Sequence, residues 1–302
     1  MSMSFDSLIS QKQPIIYDGA TGTLLQQMGL PLRQAPETWV LDQPSTVYAA
    51  AESYVNAGAQ IILTCTFGGT AVRLLDAGLD ARAYEINRRA AELAKQAAGG
   101  RALVSGSIGP IGKLPLVLGT LNYADAVGQF ADQARALADG GVDLFTVESM
   151  SDITEMLAAV EGARRAADLP VFASMSFDTG GKTLLGITPT YAAGELARAN
   201  VAALGANCGH GPEEVTSIVQ EMHAAARDVP IIAKPNAGLP EIRTDGVFYA
   251  VSPERFAAHA REWVHAGAKI VGGCCGTTPR YVEAVRDALW GGKPRMRNQV
   301  IE

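Results

Sequence analysis

Cysteine, histidine, aromatic residues and blocks of like charge are all scarce in this sequence, and each scarcity removes a class of protein. Four cysteines among 302 residues are too few for a disulfide-stapled secreted scaffold. Lys and Arg number 25 against 31 Asp and Glu, a net charge of -6 with no basic cluster, which argues against a nucleic-acid or anionic-membrane surface. No window approaches the roughly 18 consecutive apolar residues of a membrane-spanning helix. Residues 1–13 lack the basic start and apolar stretch of a secretory signal. The expectation is a cytoplasmic protein with no membrane and no nucleic-acid partner. Its thiols stay reduced there, so each cysteine is core, nucleophile or metal ligand.

Hydrophobic residues make up 48% of the chain, and they fall in a repeating order. Short runs rich in Val, Ile, Leu or Ala, each closed by small or polar residues, recur at 14–20, 60–67, 102–109, 142–149, 170–177, 201–208, 230–238 and 268–276. Helical patterns separate them at 45–57, 81–98, 124–139, 153–167, 212–226 and 253–266. Gly58, Gly140 and Gly267 follow three of these helices, where a left-handed C-cap is expected. Pro212 and Pro279 stand at first helical positions behind Gly211 and Thr278. Strict alternation of strand and helix implies a parallel sheet, and eight such units in about 290 residues imply an α/β fold of one closed (β/α)8 TIM barrel. The expected organisation is a lead-in over residues 1–13, the barrel over 14–290 and a tail over 291–302. Residues 28–43 and 111–122 read as elaborated loops.

Active sites of such barrels lie at the C-terminal ends of the strands. The residues closing the runs are Asp18, Thr64 with Cys65, Glu148, Cys208, Asn236, and Cys274 with Cys275. Three thiolates brought to one barrel mouth match a zinc site with a fourth position left for water or substrate. Soft ligands select zinc over magnesium or calcium. Adjacent strand residues point to opposite faces, so Cys274 and Cys275 can share one ion only if Gly272, Gly273 and Gly276 let the backbone leave strand geometry. A lone cysteine is more simply a small buried hydrophobe, which is the reading for Cys65. A thiolate-rich zinc ion activates water weakly but binds and deprotonates a further thiol well, which favours alkyl transfer to a substrate thiol. Zinc hydrolases usually carry His ligands and a general base, and His210, His223, His259 and His265 offer no such set.

The run Gly272-Gly273-Cys274-Cys275-Gly276-Thr277-Thr278-Pro279, with Asn207-Cys208 and Asp18-Gly19-Ala20-Thr21-Gly22-Thr23, resembles the homocysteine S-methyltransferase family. The likeness covers nearly the whole chain, residues 15–289. It implies a zinc-dependent (β/α)8 barrel that methylates homocysteine to methionine. Cys208, Cys274 and Cys275 would hold Zn2+, and the homocysteine sulfur would be the fourth ligand. Asp18 and Glu148 would accept hydrogen bonds from the substrate ammonium, and charge-assisted bonds of that kind exclude thiols lacking it. Asn236 and backbone N–H groups near Gly19 would place the amino-acid end. The implied reaction is in-line attack of the zinc-bound thiolate on an activated methyl group.

The methyl donor is left open. Residues 108–110, 114–115, 119–120 and 235–240 look most like the homocysteine module of cobalamin-dependent methionine synthase, whose further modules a chain of this length is not expected to contain. Methylcobalamin would then arrive on a separate corrinoid protein. The other candidates are small onium compounds such as betaine or S-methylmethionine. Trp39 stands where the betaine-using branch has a Trp, and with Thr64 it is expected on the donor side. Gly68 and Ser149, however, occupy positions that are Tyr in that branch, Cys65 replaces the usual Asn or Phe, and S-methylmethionine users tend to lack Thr277. Two readings from other classes stand beside this one. A zinc hydrolase could use the same barrel, and a non-enzymatic barrel with structural zinc would show a fourth protein ligand.

Overall fold

A computed structural model describes residues 3–291 apart from 113–115, 179, 244 and 245. Leu114 and Pro115 and all but the first residue of the expected tail lie outside the described residues. Each of the eight apolar runs contains a strand: β1 Ile15–Ile16, β2 Ile61–Leu63, β3 Leu103–Ile108, β4 Leu144–Met150, β5 Val171–Met175, β6 Ala203–Cys208, β7 Ile231–Pro235 and β10 Ala268–Val271. All neighbouring pairs in this sheet are parallel, in the order β1, β10, β7, β6, β5, β4, β3, β2. Tyr17 bridges Ile61, and Gln60 N donates to Ile16 O at 2.7 Å, so the first and last strands meet and the ring closes.

All six expected helices begin and end within about two residues of their patterns, no more than the fraying of helix ends allows; they are Pro44–Ala57, Ala83–Ala98, Tyr123–Asp139, Ile153–Ala166, Pro212–Ala225 and Pro253–His265. A separate 3-10 turn over Asp80–Arg82 takes up the first residues expected in Ala83–Ala98. Gly58 and Gly267 take the left-handed cap, with φ of 102° and 115°. Gly140 stays right-handed, and Gly141 makes the left-handed turn instead, with φ of 90°. The periodicity missed the helix Pro189–Arg198, although Thr188 caps it through the Tyr191 N–H and Pro189 opens it. It also missed an antiparallel hairpin after β7, β8 Pro240–Arg243 with β9 Gly246–Tyr249.

Two apolar clusters hold the barrel. The larger lies between strands and helices. The smaller fills the lower interior with Ile15, Ile61, Leu103, Leu144, Phe172, Ala203, Ile232 and Ile270, one residue from each strand. Within the lead-in, the helix Phe5–Ser10 adds Leu8, Phe5 and Ile9 to this cluster and sets the Phe5 ring 6.0 Å from Phe172. Fully burying an apolar side chain contributes roughly 1.5–3 kcal/mol, so this helix works as a plug under the strands. Higher up, the interior turns polar. Tyr17 Oη and Ser105 Oγ each lie 2.7 Å from Thr146 Oγ1, and above them begins the mouth. No helix of the described residues is long and apolar enough to cross a membrane.

Candidate metal and substrate site

Cys208, Cys274 and Cys275 do come together: their sulfurs all lie within 4.8 Å of one another, with 2.9 Å between Cys208 and Cys274. The backbone makes this possible in two places. Strand β10 stops at Val271, and the segment after it turns on Thr277, whose N–H and Oγ1 both donate to Cys274 O at 3.1 and 2.6 Å. Gly276 completes the turn at φ 83°, where a Cβ would sit 2.3 Å from the Tyr249 ring. Cys208 itself adopts φ 61°, a rare left-handed conformation for a residue with a side chain and a form of strain that clusters at functional sites.

Asn207 locks the cluster. Its Oδ1 accepts from Ser149 N at 2.8 Å and Ser174 Oγ at 2.6 Å, and its Nδ2 donates to Ser149 Oγ, Cys208 Sγ and Cys274 Sγ at 2.6, 3.3 and 3.7 Å. Donors aimed at sulfur orient a thiolate ligand and temper its charge. Asn207 is part of the motif around Cys208, but nothing in the sequence marks it for this role. The thiols share charge among themselves. Hydrogen bonds from Cys208 and Cys274 hold the Cys275 thiol down at about 3, while the bond to Cys274 pushes Cys208 well above the usual thiol range. For Cys274 the bond with Cys208 lowers the pKa, but Cys275 and burial together raise it to about 12.

Three soft donors in one half-buried cluster can hold a metal ion, and among the described residues no His, Asp or Glu atom joins them within 4.8 Å. Asn236, at the end of β7, donates through Nδ2 to Gly209 O at 2.7 Å and leaves its buried Oδ1 without a partner. Its backbone N–H donates to Cys208 O at 3.1 Å, which ties the end of β7 to the cysteine at the end of β6.

Below the sulfurs lies a charged floor. Asp18 Oδ2 accepts from Leu63 N at 2.6 Å, and Glu148 Oε1 accepts from Ser107 Oγ at 2.6 Å. Their other oxygens face one buried cation, Lys234, whose Nζ lies 3.5 Å from Asp18 Oδ1 and 3.8 Å from Glu148 Oε2. Burial pushes the Asp18 carboxyl up to about 6 against the pull of Lys234, and burial raises Glu148 likewise. Burial alone would lower Lys234, yet Glu148 and Asp18 hold it above the ordinary lysine value. Lys234 is not among the residues singled out from the sequence, although a lysine inside the run Ile231-Ile232-Ala233-Lys234 is a signal, because lysine is almost never fully buried without a partner.

A cavity of about 1070 Å³ opens from this floor. Gly19, Glu148, Lys234 and the three cysteines line its base, and residues 31–38 with 63–68 form its outer wall. Thr64 lines it and shares a hydrogen bond with Thr66 Oγ1, 2.6 Å away. The wall stops one residue short of Trp39, which packs partly buried against the apolar core. Cys65 belongs to that core as expected and also touches the cavity. Glu37, missed in the sequence, is buried in the wall and accepts from Gly68 N at 2.6 Å. His210 pairs with Glu214 at the surface.

The family model for homocysteine S-methyltransferase matches residues 15–289. Methionine synthase of Mycobacterium tuberculosis (strain ATCC 25618 / H37Rv) is 31% identical over 299 residues, 93% of this chain and 25% of that protein. Methionine synthase of Mycobacterium leprae (strain TN) is 31% identical over 293 residues, 91% of this chain and 24% of that protein. The chain thus spans about a quarter of the length of the curated relatives it matches. Among solved structures, the metallated form of the homocysteine methyltransferase MmuM from Escherichia coli superposes with a TM-score of 0.78 at 24% identity, over 93% of this chain and 98% of that one, a likeness of fold. The carboxyl transferase domain of Rhizobium etli pyruvate carboxylase shares the barrel more distantly, with a TM-score of 0.53 at 14% identity over 96% of this chain and 50% of that one. With its barrel, its three meeting cysteines and a family match across nearly its whole length, the chain belongs to the homocysteine S-methyltransferase family.

Proposed function

We propose that the chain is a zinc-dependent homocysteine S-methyltransferase that receives its methyl group from a corrinoid-bearing protein. The observation that carries the acceptor half is the placement of three soft sulfur donors directly above a floor with two carboxylates and one lysine. Zinc held by Cys208, Cys274 and Cys275 would supply a lowered pKa for a coordinated substrate thiol, so that the thiolate is present at neutral pH. Glu148 and Asp18 accept hydrogen bonds from the substrate ammonium through their less-satisfied oxygens, Oε2 and Oδ1. The Gly19 N–H lines the cavity and donates to the substrate carboxylate, while the free Asn236 Oδ1, which can only accept, adds an acceptor for the ammonium. Positioned groups of this kind hold the acceptor sulfur toward the open cavity, where proximity lowers the barrier to displacement at a methyl carbon.

The donor half rests on the mouth. A quaternary ammonium donor wants several aromatic faces around it, whereas Phe67 is the single aromatic among the described residues lining the cavity. Large apolar side chains are instead exposed around the opening, on five connections that follow strands: Leu32, Phe67, Leu118, Leu184, Leu239 and Ile242. Exposed apolar groups collected at one end favour a macromolecular visitor over a small one. The relatives named methionine synthase, four times the length of the match, agree with that reading. The structural-zinc alternative asked for a fourth protein ligand; among the described residues no further Cys, His, Asp or Glu joins the three.

Metal analysis of purified protein is expected to find about one zinc per chain, lost from Cys208→Ala and from Cys274→Ala. Full retention in both variants overturns the metal assignment. A donor panel with homocysteine as acceptor should yield methionine from methylcobalamin on a corrinoid protein. Turnover with betaine or S-methylmethionine but not with methylcobalamin overturns the donor half, and no turnover with any donor overturns the whole.

A further inference from the structure

The buried lysine in the floor has no part in the chemistry above, yet its geometry is specific. Lys234 is 2% exposed, on β7, and its ammonium lies 4.1 Å from the centroid of the Tyr17 ring. It faces Asp18 from the end of β1 and Glu148 from β4, with Tyr17 and Cys274 as the other ionisable groups around it. Both carboxylate contacts are long, 3.5 and 3.8 Å, against the roughly 2.8 Å of a saturated charge-assisted bond. Each carboxylate meanwhile has its other oxygen held firmly at 2.6 Å by a neutral donor. The lysine therefore contributes charge without using up the acceptor capacity of Asp18 Oδ1 and Glu148 Oε2.

We propose that Lys234 is a specificity-determining positioning residue that sets the charge of the floor to minus one with both carboxylates ionised, so that the site selects thiols carrying one ammonium group. This rests on the acceptor half of the proposed function. The counting is simple. Two carboxylates and one lysine leave one negative charge, which the substrate ammonium neutralises. Without the lysine, two buried carboxylates facing a common point repel, and such a pair takes up a shared proton. One of the oxygens that should accept from the ammonium then carries a hydrogen, and an amine can bind only by expelling it.

The test measures binding by calorimetry to zinc-loaded protein, with zinc content recorded for every variant. Three thiols are compared: homocysteine, 4-mercaptobutyrate, which lacks the ammonium, and 3-aminopropanethiol, which lacks the carboxylate. In wild type the ammonium-bearing thiols should bind more tightly than 4-mercaptobutyrate; if they do not, the acceptor reading itself fails. In Lys234→Met both ammonium-bearing thiols should weaken at least about tenfold near neutral pH, the loss shrinking as pH rises, while 4-mercaptobutyrate is unchanged. The double variant Lys234→Met/Asp18→Asn leaves Glu148 as an ionised floor of minus one with no partner carboxylate to share a proton, and should bind homocysteine more tightly than Lys234→Met. It also serves if the single variant fails to fold. Equal losses for all three thiols would assign Lys234 a merely structural role. Losses confined to the two carboxylate-bearing thiols would make it a direct carboxylate ligand, and unchanged or tighter amine binding would make it a competitor. Each of these outcomes, or a double variant that does no better than Lys234→Met, overturns the proposal.

Discussion

Asp18→Asn is the sharpest probe of the floor, because it is nearly isosteric and can still accept from the Leu63 N–H while losing its charge. The wild-type floor then drops from minus one to zero. A hydrogen bond between a charged pair contributes about 1.5–3 kcal/mol, so homocysteine affinity should fall roughly 10- to 150-fold at about pH 7.5. The pH dependence adds a second signature. Burial raises Asp18 to about 6, so its charge is present above that pH and is lost as pH falls through it. At about pH 5 the wild-type residue is roughly nine-tenths protonated, and the ratio between variant and wild type should shrink by about tenfold. Thiol deprotonation on binding also weakens affinity at low pH, but it acts equally on both proteins. Calorimetry on zinc-loaded protein at about pH 5, 6 and 7.5 gives the ratio directly. A ratio that stays constant across that range, or a loss equally large for 4-mercaptobutyrate, refutes the assignment of Asp18 to the ammonium.

Two further outcomes follow from the cluster itself. In chelator-treated protein the Cys275 thiol, held at about 3, is ionised at neutral pH, whereas burial and the nearby Glu37 keep Cys65 far above its usual value. Brief alkylation followed by peptide mapping should therefore mark Cys275 first and Cys65 last; early labelling of Cys65 contradicts the environment described for it. Gly276→Ala combines a left-handed φ of 83° with a Cβ only 2.3 Å from the Tyr249 ring, so the turn or the hairpin must move. Overpacking of this kind costs about 1–3 kcal/mol, and chelator competition should show zinc held roughly 5- to 150-fold more weakly. An unchanged competition curve means the turn is not what positions the two sulfurs.

How far the sequence reached can be judged from particular elements. The barrel strands were legible because each is covered on both faces, which writes them as nearly continuous apolar runs with small residues at the joints. The hairpin Pro240–Arg243 with Gly246–Tyr249 was not, because its residues are largely exposed and carry little periodic pattern. Cys274 and Cys275 were legible as a pair through their flanking glycines. The pairing with Cys208 needed only the rule that strand ends share one face of the barrel. Asn207 and Ser149 were less accessible, since their effect depends on a hydrogen-bond fan across β4, β5 and β6 that no local pattern records.

The sequence alone determined the order of strands and helices, the end of the barrel that carries the chemistry, and the three sulfurs that meet there. These follow from local periodicity and from the fixed polarity of a parallel sheet. Only the tertiary structure decided that a lysine stands between the two carboxylates. Lys234 and Asp18 are 216 residues apart and approach each other only because the ring closes between β1 and its neighbours. Charge balance in a buried floor is a property of distances, and distances of that kind are set by closure rather than by any stretch of sequence.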